Sequence, residues 1–592
     1  MRENQPISSL LKRLWHHISP RRRGQFGLLL VLMLLASFAE ILSIGAVLPF
    51  LGVLTAPELV YEMTAAKPII QVLKLTEPKQ LLLPLTIFFG SAALIAGAMR
   101  LTLLWASTKL SFATGADLSI GIYRRTLYQP YAVHCARNSS EIINGISSKA
   151  KIVIVMINMV LNLISSSFVL ITILFTLLLL NPFIALVVFG GFGFIYTIVI
   201  TITRKKLYFN SKRIARESTQ VIKSLQEGLG GIRDILIDGT QEAYCDIYRK
   251  ADFALRDATG TNSFISTSPR YAMEAFAIML MAGVAYSLAQ QVDGITKAIP
   301  MLGALALGAQ RMLPVLQQAF TAWTQIKSGQ ISLNDTLELL DQPLPMNANR
   351  SVGGKLPFNY KISLKQLNYR YGHNLPYILK AIDFNIRKGD RVGFIGVTGS
   401  GKSTLLDIIM GLLEPTEGSL EIDGQAVKIN NNRAWQNHIA HVPQTIFLAD
   451  SSIEENIAFG IPKDQIDHHR VKQAAQQAKI AETIERFPNQ YQTFVGERGV
   501  RLSGGQRQRI GIARALYRQA DVIILDEATS ALDNETEEAV MHSIENIGKN
   551  ITILIVAHRL TTLKNCNRIV HLEDGAIKKI GSYEEIVLLD KS

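Results

Sequence analysis

A six-span α-helical membrane domain followed by an α/β domain of the phosphate-loop type is the fold class this chain predicts. Two observations carry that expectation. Long apolar segments crowd the first half of a 592-residue chain, which is too long for a single core. Further on, the apolar run Arg391-Val392-Gly393-Phe394-Ile395 reads as a strand and leads directly into the glycine-rich stretch Gly396 to Ser403. Composition agrees, because 48% apolar against 18% charged residues is high for a soluble protein.

The spans come first. Phe26 to Leu54, Leu81 to Ala106, Ile152 to Leu180, Pro182 to Thr203, Tyr271 to Ala289 and Ile299 to Ala322 each contain a core near the ~20 residues a spanning helix needs. The last two are less hydrophobic. A pair of buried soluble helices is the competing reading for them, opposed by their length and by the domain that follows.

Basic residues set the orientation. Lys12, Arg13 and Arg21 to Arg23 precede span one, Arg124 and Arg125 follow span two, and Arg204, Lys205 and Lys206 follow span four. These stretches face the cytoplasm, the tight Asn181-Pro182 turn is external, and both termini are cytoplasmic in the cytoplasmic (inner) membrane. Span one is too long for a cleaved signal and lacks a small-residue cleavage site, so it is read as retained. The expected organisation is a basic leader over 1–24, a transmembrane domain over 25–340, a linker over 341–354 and a nucleotide-binding domain over 355–592.

A formal net charge of +13 raises nucleic acid as a partner, but its juxtamembrane clustering points to anionic lipid headgroups instead. Cys135, Cys245 and Cys566 all fall in expected cytoplasmic segments, so neither a disulfide framework nor a metal cluster is indicated.

Gly396-Val397-Thr398-Gly399-Ser400-Gly401-Lys402-Ser403 fits G-x-x-x-x-G-K-[ST], with a helix expected from Ser403 through Leu412. Glycines at 396, 399 and 401 let backbone N–H groups, including those of Ser400 and Thr404, approach phosphates. Lys402 neutralises their charge and Ser403 offers a hydroxyl to Mg²⁺. Val522 to Asp526 reads as a buried parallel strand ending in an acid placed to hold Mg²⁺. Glu527 follows, where a carboxylate can orient or deprotonate attacking water. A further strand, Ile551 to Val556, leads to His558, positioned for a γ-phosphate. A structural glycine turn and a structural strand-end histidine are the plainer readings, and the order of the motifs argues against both.

Together with Leu502-Ser503-Gly504-Gly505-Gln506, these residues resemble the nucleotide-binding domain of an ABC transporter over about 355–592. The resemblance implies Tyr371 as the adenine-stacking aromatic, and Gln444 as the Q-loop residue near both Mg²⁺ and the catalytic site. Ser530-Ala531-Leu532-Asp533 would be the D-loop, and Val495 to Gly499 an exporter x-loop. In that family Ser503, Gly504, Gly505, Gln506 and Asp533 complete the ATP site of a second subunit. Since no catalytic position departs from the family's pattern, it implies a homodimer with two competent sites, using ATP and Mg²⁺. Fusion of membrane and ATPase parts implies the exporter type. The extensions 107–151 and 204–266 would carry coupling helices near Ala132 to Ser140 and near Asp238 to Glu242.

Charge within the membrane is expensive, so Glu40, Arg100, Arg270, Glu274 and Arg311 are candidates for cargo contacts. At ~1.5 Å per residue Arg311 lies ~18 Å, and Arg100 roughly 28 Å, below the external ends of their spans. Arg270 enters from the other side. Such arginines suit phosphate or pyrophosphate, although Arg270 and Glu274 are spaced to pair with each other and Arg100 can snorkel. Gln310, Gln317 and Gln318 add polarity to span six.

Pro57 to Leu75 has the pattern of a short helix on the outer surface, or of a solvated loop. With Ala39 to Gly45 and Leu48-Pro49-Phe50, the membrane half resembles PglK-like flippases of lipid-linked oligosaccharides. That resemblance implies an amphipathic anionic lipid or glycolipid as substrate. Peptide or hydrophobic-drug export and an ATP-gated channel or regulatory subunit are the alternatives.

Overall fold

The computed structural model describes residues 5–55, 57–62, 70–71, 75–180, 182–289, 294–344, 356–372, 374–428, 431–529, 531–545, 550–557 and 559–588. His558, Ser530 and most of the linker expected over 341–354 lie outside the described residues, as do 63–69 and 72–74 of the segment expected to be external. The side chain of Arg311 also lies outside them. Two compact units emerge: 1–129 with 137–343, and 130–136 with 344–592.

Among its described residues the first unit holds helices and no strand. α1 (Ile7–His17) is amphipathic and buries Leu10 and Leu14, one turn apart on a single face. α2 (Pro20–Gly45) and α3 (Val47–Thr55) divide what the sequence presents as one span, Phe26 to Leu54. Pro49 has no N–H to offer the preceding turn, so the helix breaks and restarts with proline in a first turn, where it is tolerated. α4 (Pro57–Glu62) opens the segment expected to be external.

α5 (Leu82–Leu127, 46 residues) holds the second apolar segment and runs far beyond it. After α6 (Tyr131–Ala136), which belongs to the second unit, α7 (Ser139–Asn144) is capped by the Asn138 side chain. A π turn then leads into α8 (Ala150–Leu180). α9 (Pro182–Gly230, 49 residues) is followed by α10 (Ile232–Asp238), α11 (Gln241–Thr267), α12 (Pro269–Ala289), α13 (Gly294–Ser328) and α14 (Gln330–Leu340).

At 1.5 Å per residue α5 and α9 are each about 70 Å long, more than twice the ~30 Å hydrocarbon core, so both carry long extensions outside it. The turn between α10 and α11 is made at Gly239, whose φ of 66° only glycine adopts easily. Three stretches among the described residues, Pro20–Ser43, Pro78–Leu127 and Ser139–Phe175, are long and apolar enough to cross a membrane. The fourth, fifth and sixth apolar segments also lie in helices, α9, α12 and α13.

The second unit holds two sheets. β1 (Lys361–Tyr369), β2 (Leu379–Arg387), β4 (Glu417–Ile422) and β5 (Gln425–Ala426) form an antiparallel sheet of order β2-β1-β4-β5. β3 (Arg391–Ile395), β6 (Ile439–Val442), β7 (Val522–Asp526), β8 (Thr552–Val556), β9 (Arg568–Glu573) and β10 (Ala576–Gly581) form the other, ordered β10-β9-β3-β8-β7-β6. Only the β10 edge is antiparallel. Every residue of β8 is buried, as an unbroken apolar run covered on both faces requires. Parallel pairing brings the C-terminal ends of β3, β8, β7 and β6 to one edge, where ligands of open α/β sheets bind.

The helix after the phosphate loop, α15 (Lys402–Ile409), is shorter than the expected Ser403 to Leu412. Gly411 turns left-handed at φ 65°, and the Trp435 indole N–H donates to the Ile409 carbonyl at 2.7 Å, which satisfies the helix end early.

Candidate functional site

The phosphate loop leaves β3 with Gly396 at φ 152°, Gly399 at 87° and Gly401 at 98°, backbone that L side chains rarely adopt. A Cβ at Gly396 would lie 2.3 Å from the Leu572 carbonyl oxygen, and one at Gly401 2.7 Å from Leu379. The loop is therefore closed against its own unit on one side and needs glycine to pass. Ser400 is 2% exposed and its hydroxyl makes no hydrogen bond among the described residues. Lys402 donates from Nζ to the carbonyls of Gly396 (2.8 Å) and Val397 (3.0 Å), so its ammonium is folded over the loop. Ser403 is exposed at the first turn of α15, while Thr404 is buried. Tyr371 is half-exposed, packs edge-on to Tyr369 at 5.1 Å and meets the Thr404 hydroxyl at 3.3 Å. These features fit a triphosphate: a glycine cradle, an orphaned hydroxyl, one cation and an available aromatic face.

Beside the loop, β7 ends in Asp526. Burial, and then the charge of Glu527, push its carboxyl above the usual range, while Lys402 pulls it down. A dication would relieve that crowding, so Asp526 and the Ser403 hydroxyl suit Mg²⁺, which is bound by one or two carboxylates plus phosphates. Glu527 sits at φ 50°, a strained conformation for a residue with a side chain. Its N–H donates to the Val556 carbonyl at 2.9 Å, and its Oε2 accepts from Gln444 Nε2 at 2.6 Å. Gln444 and Glu527, 83 residues apart, thus meet at the C-terminal edge of the sheet. Such a pair can hold and deprotonate a water.

Ser503 caps α16 (Gly504–Tyr517): its hydroxyl accepts from Gln506 N at 3.2 Å, and Ser503 N donates to Gln506 Oε1 at 2.9 Å. Ser503 is exposed at the start of this 14-residue helix, whose N-terminal end favours an anion. Gly505 faces the Ala531 carbonyl, where a Cβ would come to 3.2 Å. Asp533 caps α17 (Asn534–Glu545), and the N–H and hydroxyl of Thr536 hold its carboxyl below the usual range.

Several residues of this site were not singled out in the sequence. Gln508 accepts the Ala531 N–H at 2.9 Å and ties α16 to the D-loop segment. Buried Glu537 accepts from Thr529, Arg559 and Thr562, tying α17 to the segment after β7 and to the segment around Arg559. Two acids in the first turn of α17 were the available signal. Asp407 on α15 is raised to about 6 by burial and by Asp526. Tyr131 of α6 is pushed up to about 12, first by burial, then by a hydrogen bond to Cys135 and by the charge of Asp407. That places α6, inside the expected coupling segment, beside the nucleotide residues of its own compact unit.

In the first unit the structure brings Arg100 onto Glu40, which is 2% exposed, and Arg270 Nε onto Glu274 at 2.7 Å. Two of the three candidate cargo arginines are therefore held in ion pairs. Pairing is how charge survives in a membrane. Gln317 donates to the Ser266 carbonyl at 2.8 Å, joining α13 to α11.

Comparison with known proteins agrees with this geometry. The family model described as ABC transporter matches residues 379–530, and that described as ABC transporter transmembrane region matches 26–294. An ATP-dependent lipid A-core flippase of Chromohalobacter salexigens is 31% identical over 401 residues, 66% of this chain and 67% of that protein. One of Cupriavidus pinatubonensis is 26% identical over 506 residues, 84% of each chain. A solved bacterial Atm1-family ABC exporter with ATP bound shares the fold at TM-score 0.76 and 22% identity, over 96% of both chains.

Proposed function

The chain belongs to the ABC transporter family as an exporter-type half-transporter that couples ATP hydrolysis to transport, and we propose that two copies form a flippase for an amphipathic anionic lipid. The observation that carries the ATPase half of this reading is the Gln444–Glu527 contact beside the glycine cradle.

In this reading Tyr371 stacks on adenine, and the backbone from Gly396 to Thr404 surrounds the phosphates. Lys402 leaves the Gly396 and Val397 carbonyls for phosphate oxygens. Ser403, Asp526 and Gln444 would hold magnesium, which neutralises charge on the transferred phosphoryl group when bound. Glu527, oriented by Gln444, takes the proton of the attacking water, and His558 contacts the γ-phosphate. Ser503, Gly504, Gly505, Gln506 and Asp533 serve the partner's nucleotide, because the N-terminus of α16 offers N–H groups to an anion its own phosphate loop does not need. ATP binding closes the dimer, and hydrolysis reopens it.

The cargo reading rests on charge in the membrane half and on the relatives named as lipid A-core flippases. A guanidinium has five N–H donors, so Arg100 and Arg270 keep donors for phosphate while paired, and Arg311 adds a third cation. A lipid-linked oligosaccharide and a lipid A-like glycolipid both place phosphate beside sugar on a lipid anchor, and either satisfies these donors. The basic flanks favour the inner membrane with both termini in the cytoplasm.

The test is ATPase activity of the purified chain in liposomes, without any other subunit. Phosphorylated glycolipids should stimulate turnover more than neutral ones, and Arg311→Ala should reduce that stimulation. Turnover that requires a second, different chain would defeat the homodimer, and equal stimulation by neutral lipids would defeat the anionic cargo.

A further inference from the structure

Between α2 and α5 lies a crevice of about 610 Å³, inside the ~300–1,000 Å³ typical of small-molecule pockets. Its long walls are apolar, with Leu28, Leu32 and Leu35 from one helix and Trp105 from the other. One end is polar. Arg22 and Gln25 line it there, at the end that the basic flanks assign to the cytoplasm, and Lys109 lines the α5 wall one turn from Trp105. Arg22 donates from Nε to Asp117 at 2.8 Å and from Nη1 to Gln25 at 3.1 Å, which fixes the guanidinium in place. Lys109 is exposed and has no acidic partner among the described residues. From Arg22 to Leu35 the helix rises about 20 Å, slightly more than the ~15 Å of hydrocarbon in one leaflet.

A cleft that combines an exposed cation without an acidic partner with an aliphatic wall suits an amphipathic anion. We propose that this crevice binds a resident anionic phospholipid of the inner leaflet, its phosphate between Lys109 and Arg22 and one acyl chain along Leu28, Leu35 and Trp105. The site is separate from the cargo arginines and stands whatever the cargo proves to be.

Trp105 provides the readout. The protein is placed in phosphatidylcholine bilayers carrying a minority of brominated phosphatidylglycerol or, in parallel, of brominated phosphatidylcholine. The quenching that belongs to Trp105 is obtained by subtracting Trp105→Phe. The site predicts at least about twofold stronger quenching by the anionic lipid. Lys109→Glu should abolish the preference, and Lys109→Arg should keep it. Equal quenching by the two lipids, or a preference that survives Lys109→Glu, overturns the proposal. Trp105 shielded from both lipids would mean that a second copy of the chain covers the crevice, which also overturns it.

Discussion

Glu527 and Glu40 are both carboxylates held by a named partner, and the two are positioned in opposite ways. Glu527 is fixed by its own backbone: φ 50° straight after a buried strand, an N–H bonded to Val556 and a carboxylate met by Gln444. Glu40 sits in regular helix at 2% exposure, and its carboxylate is met by Arg100, a side chain on another helix. The nucleotide half thus builds its site from short stretches whose conformation the local sequence dictates. The membrane half builds from charges that must find one another across helices. A site of the first kind fails when one atom moves, and a site of the second kind fails when a partner is removed.

Three variants probe that contrast. Glu527→Gln keeps shape and hydrogen bonding but removes the base. Steady-state hydrolysis should fall on the order of 100-fold or more while ATP binding persists, and near-normal turnover would remove Glu527 from the catalytic role. Arg100→Ala should leave the Glu40 charge in the membrane half without its guanidinium and cost ~3 kcal/mol in thermal or denaturant stability. The pair Glu40→Gln with Arg100→Gln should recover most of that loss. If the single variant were as stable as the parent, the ion pair would not organise this region.

The remaining effect appears only in acid and concerns His441 on β6, whose ring burial lowers to about 4 while its Nε2 makes no hydrogen bond among the described residues. The unfolded chain takes up a proton near pH 6.5 and the folded one resists until about 4. Stability is therefore complete above 6.5 and falls as pH drops through that window, by on the order of 3 kcal/mol. Replacement by methionine should flatten this slope in acid denaturation of the nucleotide half. An unchanged slope would mean that other groups carry it.

The same contrast explains what was legible in the sequence. Strands Arg391–Ile395 and Val522–Asp526 and the phosphate loop fall at their expected positions, because unbroken apolar runs and glycines act over a few residues. The expected end of the helix at Leu412 was too late, since Trp435, far along the chain, supplies its cap. Span one hid its break at residue 46, one turn before Pro49, because hydropathy does not register a missing N–H. The Arg270–Glu274 pair was visible as an i, i+4 spacing, whereas Arg100–Glu40 was not, being set by helix packing. Gln508 and Glu537 were invisible for the same reason: each is defined by a partner distant in sequence.

The central claim is that this ATPase moves an anionic lipid. It is tested most directly in sealed proteoliposomes, by following a labelled phosphorylated glycolipid from one leaflet to the other with and without ATP. The account predicts ATP-dependent movement by the parent chain, little with Glu527→Gln, and less for an analogue lacking the phosphate. Brisk ATP hydrolysis with lipid movement no faster than in the Glu527→Gln vesicles would contradict it.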